Sequence, residues 1–274
     1  LFRAINTKFG GITMQNMKVA LINPSYSTYL YGFERALKSV HPPLNLLYLH
    51  SYTKGIADVR IFDGELYPGL DELVRAVDLF NPDIIGYTAT SPSYPVAKKL
   101  SQRLKNKRRI QIIGGPYATV SPNEALFDFD VVIIGEGEES LSDIIRGIEY
   151  RKIKGIAFIN TGYSRFTEKR PFRINLDELP FPSWDLIDFT DYRYSIHRGG
   201  EKKSAPIITS RGCPYGCRNC STQLVNGKKV RNRSVENVAN ELDLLVKKYG
   251  IDHFHIWDDT FTINKKWIME FCDL

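Results

Sequence analysis

Between Lys18 and about Ile148, short runs of apolar, mostly β-branched residues alternate with stretches whose apolar residues recur every three or four positions. The runs are "KVALINP" from Lys18, "DVRIFDG" from Asp58, "DIIGYTA" from Asp83, "IQIIGG" from Ile110 and "DVVIIGEGE" from Asp130, and turn-forming residues break each of them. The stretches between, "PPLNLLYLHSYTK", "LDELVRAVDLF", "YPVAKKLSQRLK" and "EESLSDIIRGIE", read as helices. Strands this apolar cannot face water on either side. Strict alternation therefore argues for a parallel sheet covered on both faces, a doubly wound α/β domain whose ligand sits beyond the carboxyl ends of its strands.

Residues 149 to 200 break the rhythm. "GIAFIN" is one more strand candidate, and "LDELPFPSWDLIDFTDYRY" then mixes Pro, acids and aromatics without a sustained period. Its Phe181, Trp184, Phe189 and Tyr192 suggest a linker that lies against a domain face. A second alternation starts at "SAPIITS": a strand, a cysteine loop, the helix "SVENVANELDLLVKKYG", the strand "DHFHIWDD" and a helix from Asn264. Ser234 and Gly250 bracket the first of these helices as N-cap and stop. Two β/α units begin a barrel without closing it. The expected division is an extension over 1–16, disordered or non-native, a first domain over 17–150, a linker over 151–203 and the start of a second domain over 204–274.

The length of 274 residues suits about two domains, and 43% hydrophobic residues suffice for a core. No apolar stretch approaches the roughly 18 residues of a membrane span, and "LFRAINTKFGG" lacks the apolar heart of a secretory signal, so the chain is expected in the cytoplasm. A start at Leu1, with Met14 and Met17 as candidate true starts, and a stop inside "KKWIMEFCDL" read as the ends of a fragment. The net charge is +6, with the densest basic runs at Lys105–Arg109 and Asn226–Arg233. The first reads as solvated surface without the interleaved aromatics that stack bases. The second follows the cysteines closely, which leaves attraction of an anionic ligand open; nucleic acid is not the expected partner.

Cys213, Cys217 and Cys220 form C-x3-C-x2-C directly after a strand, and they are three of only four cysteines in the chain. A structural zinc site needs four closed ligands; His253, His255 or Cys272 could supply the fourth, but none has the spacing of a paired module. The bacterial ferredoxin run does not match. A cubane [4Fe-4S] cluster held by three thiolates, with its fourth iron open, is the third possibility.

The spacing after "SRG" resembles the signature of the radical S-adenosylmethionine (SAM) enzymes. The resemblance implies that SAM itself chelates the open iron and is cleaved to a 5'-deoxyadenosyl radical. The aromatic that usually precedes the last cysteine is replaced by Asn219, and Tyr215 is not its equivalent. "HIWDDTF" is similar to the family's SAM segment, making Asp258 and Asp259 candidates for the methionine amino group; the alternative is that they cap or solvate the turn.

The first strand is followed by "NPSYSTYLYGFE", which lacks the G-x-G-x-x-G turn of dinucleotide sites. Glycines come instead at the ends of the fourth and fifth strands, where a bulky ligand could lie against backbone. Together with "GYTATSPSYP", these resemble the cobalamin-binding, Rossmann-like domain that precedes many radical SAM barrels. The resemblance implies Thr88, Thr90, Ser91, Gly114, Gly115, Gly135, Glu136 and Gly137 as cobalamin contacts. No D-x-H-x-x-G motif is present, and neither His41 nor His50 has its surroundings, so no protein histidine is expected on cobalt.

The implied cofactors are a [4Fe-4S] cluster, SAM and cobalamin. The implied function is methylation of an unactivated carbon, as in class B methyltransferases and relatives of the anaerobic porphyrin-ester cyclase. A cyclase or rearrangement enzyme without methyl transfer, or a non-catalytic corrinoid-binding protein, are the alternatives. The implied partners are a lipid, tetrapyrrole or other small-molecule substrate and an electron donor such as flavodoxin or ferredoxin. The residues name no substrate and no further catalytic group.

Overall fold

The five apolar runs pair side by side as parallel strands: β1 (Lys18–Asn23), β2 (Asp58–Asp63), β3 (Ile84–Thr88), β4 (Ile110–Gly114) and β5 (Val131–Ile133). The computed structural model describes residues 17–25, 41–192, 194–196 and 200–274. The extension expected over 1–16, and most of "NPSYSTYLYGFE", lie outside the described residues.

Two further strands, β6 (Ile156–Asn160) and β7 (Tyr163–Phe166), add antiparallel to β5 and complete a seven-stranded sheet in the order β2-β1-β3-β4-β5-β6-β7. Its parallel part has the order 2-1-3-4-5, which places the switch point between β1 and β3. The segment read as linker thus gives its first part to the sheet. The hairpin turns on Thr161 and Gly162, both at positive φ (50° and 84°), as a two-residue primed turn requires.

Alternation along the strands explains the layering. Ala20, Ile22, Ile85, Tyr87, Ile113 and Val132 face one core, filled from outside by helices α2 (Leu70–Phe80) and α3 (Tyr94–Leu104). Val19, Leu21, Ile84, Ile112 and Val131 face the other, while the short helices α4 (Pro116–Val120) and α5 (Pro122–Ala125) give Ala118 and Ala125 to the first core; the second takes Leu46 of α1 (Leu44–Thr53) and Leu141, Ile144 and Ile145 of α6 (Glu138–Ile145). Both faces are covered, as the apolar strands demand.

After a short antiparallel pair, β8 (Tyr194–Ile196) and β9 (Gly200–Lys202), the second alternation forms a parallel pair of β10 (Ser204–Ile207) and β13 (His253–Ile256). Between them lie β11 (Ser210–Arg211), the cysteines, α7 (Thr222–Val225), β12 (Arg231–Asn232) and α8 (Val235–Tyr249), and α9 (Lys265–Asp273) follows β13. Ser234 caps α8 by accepting from Asn237 N at 3.1 Å, and Gly250, at φ 64°, ends it. A third core joins Leu44 and Leu47 of α1 to Trp184 and Phe189, to Ala205 and Ile207, and to Val235, Val238 and Leu245. The linker aromatics Trp184, Phe189 and Tyr192 are buried, so the segment lies against a domain face. Among the described residues no helix is long and apolar enough to cross a membrane.

Candidate functional site

The cysteine segment hangs between two strands that pair antiparallel, β11 and β12, with Ser210 opposite Asn232 and Arg211 opposite Arg231. Gly212 leaves this neck at φ +103°, and a Cβ there would stand 2.3 Å from Lys229 O. Only glycine fits, in conformation and in space. Cys213 N donates to Gly227 O at 3.1 Å, and Gln223 Nε2 donates to Cys213 O and Tyr215 O at 3.3 and 2.7 Å, so the segment is braced across its width.

Cys213 is buried, whereas Cys217 and Cys220 are exposed; all three are free thiols. Hydrogen bonding to Thr222 holds the Cys220 thiol below the usual cysteine range, toward the thiolate that binds metal. Among the described residues no three His, Cys, Asp or Glu side chains stand together as a preformed metal centre. In number and softness the three donors fit iron–sulfur coordination. His253 and His255 do not join the cysteines in a ligand group. Their rings touch each other, with centroids 4.7 Å apart, and His255 meets His41 at 5.4 Å. Burial, aided by His255, pushes His41 down to about 4.

Asp258 and Asp259 neither cap α9 nor point idly to solvent. Asp258 accepts from Thr209 N and Oγ1 at 2.7 and 2.5 Å and from Ser210 N and Oγ at 3.1 and 2.7 Å. Asp259 accepts from Gly212 N at 3.2 Å, Asn226 Nδ2 at 3.0 Å and Thr222 Oγ1 at 3.3 Å. Asn264 itself caps α9, accepting from Trp267 N. The two acids tie the end of β13 to both ends of the cysteine segment.

At the carboxyl ends of β3, β4 and β5 the other candidates form one edge. Thr88 lies opposite Gly114 in the ladder, and its hydroxyl accepts from Asn45 Nδ2 at 2.8 Å. Thr90 and Ser91 are exposed, and Thr90 starts α3 with Ser93, whose Oγ accepts from Thr90 N at 2.9 Å. Gly115 stands at φ +92°, and its missing side chain leaves room for Thr88 and Ala89, each about 3 Å from a Cβ placed there. Gly114 and Gly137 meet nothing closer than 3.4 Å, so these half-buried backbones fit a bulky group laid against the edge. Gly135 faces Phe172 and Val225 O, and α7 packs on α4. The glycine edge and the cysteine segment are neighbours.

Glu136 is occupied. It accepts from Arg231 Nη1 at 2.8 Å, Arg211 Nη1 at 3.2 Å and Arg173 N at 3.0 Å. Glu138 takes the other arm of Arg211 at 2.7 Å. Burial opposes the charge on Glu138, but Arg211 outweighs it and keeps the carboxyl below its ordinary range. Arg231 and Arg233 are buried, Arg233 against Glu241 at 2.5 Å, so the second basic run offers no open patch there. In the first run Lys105 to Arg108 are exposed, but Arg109 is buried against Asp78 at 2.5 Å. Sequence reasoning missed the pairs of Glu136 and Glu138 with Arg211 and Arg231 because the partners lie more than 70 residues apart in the chain. The available signal was a stretch from Ser210 to Arg233 with many cations and no acid.

Residues 35–145 match the B12 binding domain family. An uncharacterized methyltransferase of Pyrococcus horikoshii is 35% identical over 266 residues, covering 92% of this chain and 56% of that protein. The anaerobic magnesium-protoporphyrin IX monomethyl ester cyclase of Cereibacter sphaeroides is 29% identical over 272 residues, covering 94% and 43%. The chain therefore spans about half the length of these curated relatives. In fold it is similar to the cobalamin-dependent S-adenosylmethionine radical enzyme OxsB, solved with aqua-cobalamin and S-adenosylmethionine bound, with a TM-score of 0.74 at 20% identity over 95% of this chain and 37% of that one.

Proposed function

We propose that this chain, which is similar to B12-binding proteins, to a methyltransferase and to an ester cyclase, forms the cofactor-binding part of a cobalamin-dependent radical SAM enzyme that methylates an unactivated carbon. The observation that carries the reading is the meeting of a three-cysteine segment, set behind a parallel strand, with the glycine-lined edge of a B12-type sheet. When bound, the cluster supplies the electron that splits SAM into a 5'-deoxyadenosyl radical, and cobalamin supplies the methyl group.

The residues of the chain hold, orient and shield. Cys213, Cys217 and Cys220 would hold the cluster. The exposed hydroxyls of Thr90 and Ser91, and the backbones of Gly114 and Gly137, would receive cobalamin at the ends of β3 to β5. Asp258 and Asp259 keep their candidacy near SAM only indirectly, since their oxygens hold the cysteine segment in place; their role is positioning. His50 Nδ1 is engaged with Ser183 Oγ at 2.7 Å and His41 packs on Trp257, which supports a cobalt without a protein histidine. The division at about residue 150 moves in this reading to the end of β7, with the cluster-bearing domain starting near Ser204.

Anaerobic reconstitution of the complete protein tests the proposal. Iron, bound cobalamin and 5'-deoxyadenosine formation are expected together, and each Cys→Ala change should abolish cluster absorbance and SAM cleavage. A single tetrahedral zinc on these sulfurs would refute it. The similarity to the ester cyclase favours a second reading, radical cyclisation without methyl donation. SAM labelled in its methyl group separates the two: label in the product means transfer. Cobalamin binding without any 5'-deoxyadenosine would identify a corrinoid-binding protein without catalysis.

A further inference from the structure

From Ser210 to Arg233 the chain carries six cationic residues, Arg211, Arg218, Lys228, Lys229, Arg231 and Arg233, and no Asp or Glu. Two of the six, Arg211 and Arg231, are direct partners across the antiparallel neck that closes the cysteine segment. Like charges directly opposite each other destabilise such a ribbon, the more so when little water screens them. Their side chains are only 11% and 4% exposed. The ribbon contains Ser210, Arg211, Arg231 and Asn232, so nothing within it neutralises the pair.

The neutralising groups come from the other half of the molecule: Glu138 Oε1 accepts from Arg211 Nη2 at 2.7 Å, and Glu136 alone serves both arginines. Glu136 Oε1 accepts from both guanidinium groups, Arg211 Nη1 at 3.2 Å and Arg231 Nη1 at 2.8 Å. Its Oε2 is fixed from behind by Arg173 N at 3.0 Å. Gly135, at φ +82°, makes the turn after β5 that delivers this carboxylate. Arg231 in turn reaches Asn226 O at 2.6 Å and Arg173 O at 2.7 Å, inside and beside the segment.

We infer that Glu136 is a positioning residue: its carboxylate, set between two opposed arginines, closes the neck of the cysteine segment and couples that segment to the turn at the glycine edge. The inference deepens the proposed function in its link to cluster and cobalamin, but the closing of the neck stands on the charges alone.

The test uses the complete protein with Glu136→Gln and with Glu136→Gln/Arg231→Gln. In cluster-free protein, trypsin is expected to cut at Arg218 about tenfold faster in the single variant, and slower again in the double variant, where the opposed charges are gone. In reconstituted protein the same order should hold for iron loss to a chelator, while cobalamin affinity stays near that of the unaltered protein. A double variant no better than the single one would overturn the inference, since repulsion would then not be what Glu136 relieves. Weakened cobalamin binding with unchanged cleavage at Arg218 would also overturn it and make Glu136 a cofactor contact. Absence of iron from the unaltered protein would refute the proposed function and leave the cleavage comparison standing.

Discussion

Gly212 bears a double constraint, a positive φ and a carbonyl oxygen 2.3 Å from where a Cβ would sit. Gly212→Ala therefore has no small adjustment available, because the obstructing atom is backbone of Lys229. The expected outcome is loss of iron retention without loss of cobalamin binding, checked by metal and corrinoid analysis of the same preparation. Asp63 offers a test of a different kind. It is 4% exposed at the end of β2, accepting from Asn23 Nδ2 at 2.8 Å and Tyr192 Oη at 3.0 Å, and burial pushes its carboxyl up to about 6 despite those bonds. A raised value means that the folded state binds the proton more tightly than the unfolded chain. The stabilisation from this site is thus complete below about 3.8 and is lost as pH rises through about 6. The stability of the unaltered protein relative to Asp63→Asn should fall between pH 4 and pH 7 in urea titrations; a flat difference would contradict the assignment. These residues also mark what a sequence shows and hides. The cysteines declare themselves by spacing, whereas Asp258 and Asp259 stand at the anticipated strand end but spend their oxygens on Thr209, Ser210, Gly212 and Asn226, partners that only the fold brings near.

Helix α8 was the most legible element because its ends are chemical and local. Ser234 meets Asn237 N three residues on, and Gly250 takes the left-handed turn after Tyr249. Ser234→Ala is expected to cost about 1 kcal/mol, read as a lower urea midpoint with unchanged slope. The cap sits beside Asp177 Oδ1, which accepts from Ser234 N at 2.9 Å, so Asp177→Ala should give a smaller loss of the same sign. The strands β1 and β3 to β5 were legible for a similar reason: burial on both faces writes an apolar run into the sequence. The strand β6 was legible as "GIAFIN", but its hairpin partner β7 was not. Every residue of β7 is exposed, so Tyr163–Phe166 carries no apolar pattern, and the turn that makes it is a Thr-Gly pair. The linker's packing was visible in its aromatics, but its anchor was not: Trp184 Nε1 donates to Glu241 Oε1 at 2.9 Å, across 57 residues.

For the molecule as a whole, α1 decides how the two alternations are joined. Leu46 on one side of this helix packs under the seven-stranded sheet, while Leu44, Leu47 and Tyr48 pack with Ile207, Val238 and Leu245 of the cysteine-bearing half. The buried charges follow the same line, since Glu136 and Glu138 after β5 hold Arg211 and Arg231 at the neck. An apolar core and a buried ion-pair network that both cross between the halves leave no weak seam, so the described chain should unfold as one cooperative unit. The three tryptophans, Trp184, Trp257 and Trp267, all lie in the second half, so their fluorescence reports it, and the spectrum of bound cobalamin reports the first. The two signals are expected to be lost together on thermal unfolding. Leu47 is fully buried, and Leu47→Ala should lower stability by about 2–5 kcal/mol and shift both signals equally. Two separate transitions, with Leu47→Ala moving only one of them, would mean that α1 belongs to one half alone.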